Sequence, residues 1–274
     1  MTDELTDPVA LEYISWCQRE QEPKNTWRRR QVVLRAVGNP STINREDMEA
    51  WWHGRTHLAK TSRANELTIL RTFYHWCEVF DRRVDDPTAR LKSPRGTHGS
   101  PKPASDREWA RLLAHMAQIP RRGPELTRAI KLGAWAGLRV SEAASLTWPD
   151  IDVDARQARV VGKGDKERIV SFSAKLIEAL GDDHGGNVVT GRPTGWSAST
   201  LGKYVNAEIR AAVGPNLTFH KLRHRYGTKA YRATKDPKAL AEQMGHGSSA
   251  TTLTFYAAAD DRAGRQIADA VVDD

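Results

Sequence analysis

Groups that bind anions or move protons lie close together in the stretch TFHKLRHRYG, residues 218–227, which contains His220, Arg223, His224 and Arg225. His220 and Arg223 are three residues apart, so they project from one face if the segment is helical. A histidine titrates near ~6.5 and can accept a proton, whereas a guanidinium is a permanent cation with forked donors. The segment therefore predicts either half of an active site or a basic helix that contacts phosphates.

Three further motifs carry residues of the same kind. GLRVSE contains Arg139 and Glu142, GKGDKER contains Lys163 in a glycine-rich turn, and MGHGSSATTLTFY contains His246 and Tyr256. The glycine-rich turn lacks the spacing of a P-loop and does not lead into a helix, so it does not indicate nucleotide binding. The set matches instead what attack on a phosphodiester requires.

The first requirement is to neutralise a phosphate. Negative charge builds on its non-bridging oxygens during the reaction, and guanidinium groups meet that charge with paired hydrogen bonds. Arg139 and Arg223 are the predicted pair, with His246 as a further donor. Glu142 is expected to lie behind these cations and to orient Arg139 or a histidine.

The second requirement is a nucleophile with two proton transfers. Tyr256 is the candidate nucleophile, but a phenol with a pKa near ~10 attacks well only once its proton is removed. His220 is the candidate general base. The ammonium group of Lys163 is the candidate acid that protonates the leaving alkoxide of the sugar.

In this order the motifs resemble those of the tyrosine recombinases, the family of the lambda-type phage integrases, the Xer recombinases and Cre. The family pattern is GLR-x-x-E, GKG-x-K-x-R, H-x-L-R-H, L-G-H and a tyrosine shortly after. Met244 stands where the family usually has leucine, a swap that conserves volume. The resemblance makes six residues catalytic, with Glu142 in support: Arg139, Lys163, His220, Arg223, His246 and Tyr256.

The resemblance implies a site-specific DNA recombinase, and more narrowly a phage or prophage integrase. In the family the tyrosine forms a 3′-phosphotyrosyl link to double-stranded DNA at a core attachment site, without metal or cofactor. Four protomers then exchange strands through a Holliday junction, and an accessory DNA-bending or directionality factor is a candidate partner. Two alternatives stay open: a catalytically silent DNA-binding or architectural protein, and a topoisomerase-like enzyme that nicks and closes DNA.

The composition favours a polyanionic partner. The formal net charge is +8, of which residues 1–92 contribute +1 and residues 93–274 contribute +7, and basic proteins commonly bind nucleic acid. Cys17 and Cys77 lack metal-ligand spacing, and no apolar run approaches membrane-spanning length. We therefore expect no metal site, no membrane partner and a cytoplasmic, nucleoid-associated protein.

The elements that must position these residues are predicted to form two domains, mainly α with a small antiparallel β-sheet. Residues 1–91 show the periodicity of four helices. By the resemblance they are expected to form the family's core-DNA-binding domain. Residues 92–104 have three prolines and no periodicity, as an interdomain linker would. Residues 105–274 are the expected α+β catalytic domain, and we expect no separate arm-binding domain.

Within the second domain, Ser105 and Glu108 have the spacing of a capping box. Ala158–Val161 and Arg168–Phe172 are predicted strands of one hairpin. Helices are predicted from Pro124 toward Trp135 and over residues 174–180, 198–213, 219–233 and 237–244. A further helix over residues 263–271 is predicted to pack against a neighbouring protomer.

Two basic groups are weaker candidates for DNA contacts. Arg28, Arg29 and Arg30 form either phosphate contacts or a solvated helix face. His224 and Arg225 are either structural or contact the DNA backbone.

Overall fold

The protein is described by a computed structural model that covers residues 4–94, 103–162, 166–183 and 185–245. The chain divides into two compact units, Met1–His98 and Gly99–Asp274. Each has its own hydrophobic core. The predicted fold class, mainly α with a small antiparallel sheet, is confirmed.

The first unit contains the four predicted helices. They are α1 (Pro8–Arg19), α2 (Lys24–Val37), α3 (Arg45–Gly54) and α4 (Lys60–Val79), with a 3-10 turn at Arg55–His57. Asn44 caps α3 by accepting a hydrogen bond from the backbone N–H of Asp47 at 2.8 Å. An aromatic cluster fills the core, with the rings of Tyr13 and Phe73 5.3 Å apart. Cys17 and Cys77 are buried free thiols.

The second unit begins with α5 and ends, in its described part, with α11. In chain order its elements are α5 (Asp106–Met116), α6 (Gly123–Trp135), α7 (Val140–Ser145), a 3-10 turn (Trp148–Asp150), β1 (Ile151–Asp152), β2 (Gln157–Val161), β3 (Glu167–Ser171), α8 (Ala174–Leu180), α9 (Ala198–Val213), α10 (Phe219–Thr234) and α11 (Pro237–Met244). The strands form one antiparallel sheet in the order β1-β2-β3. The predicted tail helix lies outside the described residues.

Helix α10 carries the HKLRH motif and packs against α6, α9 and α11. It packs closely on α6, because a Cβ at Gly133 would lie 2.9 Å from the ring of Phe219. The start of α5 is tied to α10: Arg225 donates to the backbone carbonyl of Ala104 at 3.3 Å and to the carboxylate of Asp106. Ser105 and Glu108 form the predicted capping box at the same place.

The sheet places alternate residues of β3 on its two faces. Val170 is buried, whereas Ile169 on the opposite face is 56% exposed. Arg168 is two residues from Val170 and so lies on the buried face, opposite Val160 in the register. A charged residue at such a position needs a buried partner of opposite charge.

In the part of the chain that the structure describes, no helix has the length and apolar character needed to span a membrane.

Candidate active site

The carboxylate of Glu142 is the centre of the candidate site. Its side chain is 1% exposed and it receives guanidinium groups from three directions. The nearest atom pairs are 2.7 Å to Arg139, 2.9 Å to Arg168 and 3.8 Å to Arg223. Residues that are far apart in the sequence therefore meet around one buried negative charge.

The ionisation of Glu142 depends on these partners. Burial raises the pKa of this carboxyl group, but hydrogen bonds from Arg168 and from the backbone and side chain of Arg139 outweigh burial and lower the pKa to about 2. The group is therefore ionised at neutral pH. An ionised buried carboxylate fixes the positions of the guanidiniums around it, because leaving any of them unpaired is costly.

Arg139 lies just before α7, after a sharp turn at the end of α6. Gly137 makes this turn possible: its φ is +69°, and a Cβ there would lie 2.5 Å from the ring of Tyr226. The Arg139 backbone N–H and side chain both donate to Glu142, at 2.8 and 2.7 Å. Its second terminal nitrogen donates to the carbonyl of Gly245 at 2.9 Å. The side chain keeps 36% exposure, so its guanidinium can still meet an anion.

Arg223 lies on α10 and is almost fully buried, with 2% of its side chain exposed. Its guanidinium donates to the backbone carbonyls of Gly137 and Met244, the second at 2.6 Å. Arg139 and Arg223 therefore both lie beside Glu142, and their predicted pairing on a phosphate stays a prediction. In this structure Arg223 bonds to the turn before Arg139 and to the end of α11.

His220 lies one turn before Arg223 on α10, at the surface of the unit. Burial and the charges of Arg223 and Arg139 lower its pKa below the usual value. Its ring meets that of His224 edge-on, with centroids 4.5 Å apart. Burial and the neighbouring His220 lower the pKa of His224 to about 4. A neutral His220 at physiological pH fits the role of a proton acceptor.

Arg168 was not among the sequence-predicted site residues, yet it makes the most complete contact with Glu142. Both of its terminal nitrogens donate to the carboxylate, at 2.9 Å each. The sequence does contain a signal for this residue, since the arginine stands on the apolar face of a predicted strand in GKG-x-K-x-R. That position requires a carboxylate partner that pattern alone does not identify.

The C-terminal end of α11 supplies carbonyl acceptors to the arginines of the site. The carbonyl of Gln243 accepts a hydrogen bond from Arg168 at 3.2 Å. Gly245 ends the helix with a φ of +64°, and a Cβ there would lie 3.0 Å from the side chain of Arg168. Three predicted catalytic residues lie outside the described residues: Lys163, His246 and Tyr256.

Of the weaker candidates for DNA contacts, some are exposed and others are bound within the protein. Arg28 and Arg29 are exposed on α2. Arg30 is bound within the first unit, 2.8 Å from Glu22 and 3.1 Å from the sulfur of Cys17. Arg225 is buried against the start of α5, as described above, which favours the structural alternative for it. Within the described ranges, no group of three or more His, Cys, Asp or Glu side chains could hold a metal ion.

Comparison with known proteins gives independent evidence of the family to which the chain belongs. The model of the Phage integrase family matches residues 106–262. Tyrosine recombinase XerC of Neisseria gonorrhoeae (strain ATCC 700825 / FA 1090) is 30% identical over 237 residues, which cover 80% of this chain and 76% of the relative. Tyrosine recombinase XerC of Xanthomonas campestris pv. campestris (strain B100) is 27% identical over 213 residues, or 73% of this chain. That match spans only 65% of the Xanthomonas protein.

Solved structures show the same fold. A crystal structure of a lambda integrase(75-356) dimer bound to a COC' core site superposes with a TM-score of 0.74 at 16% identity, covering 90% of this chain and 93% of that chain. A lambda integrase tetramer bound to a Holliday junction gives a TM-score of 0.72 at 17% identity, covering 88% and 77%.

Proposed function

The chain belongs to the phage integrase family of tyrosine recombinases, and from this premise we propose that it is a site-specific recombinase that cuts and rejoins double-stranded DNA. The observation that carries the proposal is the convergence of GLR-x-x-E, β3 and H-x-L-R-H on one buried carboxylate. Such a cluster holds two or more guanidiniums in fixed positions, as stabilising a phosphodiester transition state requires.

The proposed reaction is a transesterification. The phenol oxygen of Tyr256 attacks the scissile phosphorus and forms a phosphotyrosyl bond to the 3′ side, while the bond from phosphorus to the 5′ oxygen breaks. His220 takes the phenol proton, and Lys163 gives a proton to the departing 5′ oxygen. Arg139, Arg223 and His246 neutralise the charge on the phosphate. Rejoining is the same step in reverse with a new 5′-hydroxyl.

The low pKa of His220 gives this reaction a direction of pH dependence. A base must be neutral to accept a proton. Because its pKa is lowered, His220 stays neutral at mildly acidic pH values at which an ordinary histidine is already protonated. Cleavage that depends on His220 should therefore survive mild acidification and fall only below the usual histidine range.

The assembly is proposed by analogy with the solved relatives. Lambda integrase has been crystallised as a tetramer bound to a Holliday junction, and we assign to this chain a homotetramer on DNA that passes through such a junction. The reaction would take place in the cytoplasm on DNA of the nucleoid, with an accessory DNA-bending or directionality factor as a candidate partner.

Two biological tasks fit this chemistry. The relatives named XerC favour resolution of DNA dimers, whereas the family match and the lambda integrase fold favour integration of a phage or prophage. Sites recovered from the DNA would separate the two tasks. A site repeated within one replicon indicates resolution, and a pair on separate molecules indicates integration.

The proposal is tested by covalent trapping. Wild-type protein and Tyr256→Phe would be incubated with sheared genomic DNA of the organism that carries the gene, in the presence of EDTA, and then denatured. We expect the wild type to retain covalently bound DNA with recurrent flanking sequences, and peptide mass analysis to locate the link on Tyr256.

The phenylalanine variant should bind the recovered duplex with the affinity of the wild type and form no adduct, because only one hydroxyl is removed. An adduct in this variant would contradict the assignment of Tyr256. Binding by the wild type without any adduct would favour the catalytically silent alternative, and adducts without recombinant products would favour the nicking-closing alternative.

A further inference from the structure

We propose that Arg168 is a positioning residue for DNA cleavage, which acts through Glu142 to hold Arg139 in place for the scissile phosphate. The inference rests on the proposed function and extends it to a residue outside the predicted catalytic set. Its basis is the contacts that Arg168 makes on the buried face of β3.

The first step is the geometry of the ion pair. The two terminal nitrogens of Arg168 reach the two oxygens of Glu142 at 2.9 Å each, in the forked arrangement that gives arginine–carboxylate pairs their directional strength. Arg139 reaches the same carboxylate with one side-chain nitrogen, at 2.7 Å, and with its backbone N–H, at 2.8 Å. The guanidinium of Arg139 thus has a single bond to a carboxylate whose two oxygens the side chain of Arg168 holds from β3.

The second step is what holds Arg168 itself. Its third donor bonds to the carbonyl of Gln243, and the side chain of Gln243 bonds to both backbone groups of Ser171 on β3, at 2.9 and 3.1 Å. Strand β3 and the end of α11 are thus joined at two points. The end of α11 in turn supplies the Gly245 carbonyl to Arg139, so Arg168 links both groups that hold Arg139.

The third step is the balance of charge. Among the described residues, the charged groups that face Glu142 are Arg139 at the start of α7, Arg168 from β3 and Arg223 from α10. Side-chain hydrogen bonding by Arg168 is the largest contribution that lowers the pKa of Glu142, and burial opposes it. Without Arg168 the pKa of Glu142 rises, and a protonated Glu142 no longer holds Arg139 by charge.

The test measures single-turnover cleavage of the duplex recovered by covalent trapping, nicked so that cleavage is irreversible. Arg168→Gln should lower the cleavage rate by about 10²-fold, the size of effect expected when a catalytic group is misplaced by an ångström, and leave the affinity for the duplex unchanged. Arg168→Lys keeps the positive charge but lacks the paired donors of a guanidinium group, so its cleavage rate should lie between those of Arg168→Gln and the wild type.

The matched control is Arg159→Gln on the neighbouring strand β2. Arg159 is 54% exposed and pairs with Glu167 and Asp150 at 3.1 and 3.0 Å. This change removes the same charge and two ion pairs from the same sheet, and the cleavage rate should stay within about twofold of the wild type.

Two further readouts separate positioning from a loss of folding. In Arg168→Gln the acid side of the pH–rate profile should move to higher pH than in the wild type, because Glu142 then binds a proton more readily. In a Glu142→Gln background, the same substitution should have little additional effect, since the route through the carboxylate is already removed.

Each result bears on the inference. Equal losses from Arg168→Gln in both backgrounds, or a pH profile identical to that of the wild type, would overturn it. A wild-type protein that forms no adduct would instead overturn the proposed function and this inference with it, so the two failures are distinguishable.

Discussion

At the scale of single residues, Arg139 and Arg223 have different surroundings, although the sequence motifs predict the same phosphate-binding role for both. Arg139 keeps 36% exposure and can face a ligand, whereas Arg223 is 2% exposed and bonds to backbone carbonyls of the turn before α7 and of α11. Arg223 therefore supports the fold as well as the site. A substitution at each position should separate the two contributions.

We expect Arg139→Ala to lower the cleavage rate by about 10²–10³-fold, the usual effect of losing one donor to a transition-state oxyanion. Its free energy of unfolding should change by only about 1 kcal/mol, because Glu142 keeps Arg168 and Arg223 as partners. Arg223→Ala should lower the cleavage rate similarly and also cost about 3 kcal/mol, since buried acceptors lose their donor.

The measurements are single-turnover cleavage and urea unfolding of the full chain followed by far-UV circular dichroism. An Arg223→Ala variant as stable as the wild type would contradict the structural part of this assignment. Wild-type cleavage in Arg139→Ala would contradict its phosphate role.

The site residues differ in how far sequence could predict them. Arg139, Glu142, His220 and Arg223 belong to motifs in which spacing and residue type already indicate the chemistry. Arg168 does not, because its role depends on a carboxylate 26 positions earlier in the chain. Periodicity gives the face of a strand but not the element that packs on it. Such a pair is determined by tertiary packing.

At the scale of elements, sequence signals located the helices of the second unit well and the small elements poorly. The predictions 174–180, 198–213 and 237–244 coincide with α8, α9 and α11, because serine or aspartate caps begin these helices and glycine follows each of them. The two-residue strand β1 was not predicted. It consists of the pairs Ile151 with Ala158 and Asp152 with Gln157, and so short a segment has no period of its own.

The capping box of α5 gives a prediction at this scale. Ser105 accepts from the Glu108 N–H at 3.2 Å, and the Glu108 carboxylate accepts from the Ser105 N–H at 2.8 Å. Ser105→Ala removes the first bond, together with the bond that the Ser105 hydroxyl donates to the Glu108 carboxylate at 2.7 Å, and should lower the free energy of unfolding of the second unit by about 1 kcal/mol. The expected fall in its midpoint temperature is about 2–4 °C by calorimetry.

Ser199→Ala is the matched control for this prediction. Ser199 lies in the first turn of α9, where its hydroxyl lies 3.0 Å from that of Ser197, and the cap of this helix is Ser197. It should change the midpoint much less than Ser105→Ala. Equal effects of the two changes would show that the cap contributes nothing specific to the start of α5.

At the scale of the whole molecule, the proposed binding of DNA depends on how charge is distributed over the two units. The net charge of +8 falls mostly in residues 93–274, yet the first unit carries exposed arginines on α2, with Arg28 lying 5.7 Å from the ring of its neighbour Trp27. If both units contact DNA, phosphates are neutralised by each of them. The dependence of binding on salt counts those contacts.

We expect the logarithm of the affinity for the recovered duplex to fall with the logarithm of salt concentration with a slope of about −5 to −9, as for proteins that make several phosphate contacts. Arg28→Ala/Arg29→Ala should reduce the magnitude of this slope by about 2, because each lost contact removes about 0.9. Fluorescence anisotropy titrations between about 50 and 300 mM NaCl give the slope under the usual range of conditions.

The control is a double variant that removes the same number of positive charges from a different part of the first unit. Arg82→Ala/Arg90→Ala removes the same charge from exposed positions of the first unit, and Arg82 is already paired with Glu12 at 2.6 Å. A general field effect would lower affinity alike in both double variants, whereas direct phosphate contacts by α2 would change the slope only in the first. Equal slopes in the two would therefore remove α2 from the DNA interface and leave binding to other surfaces of the chain.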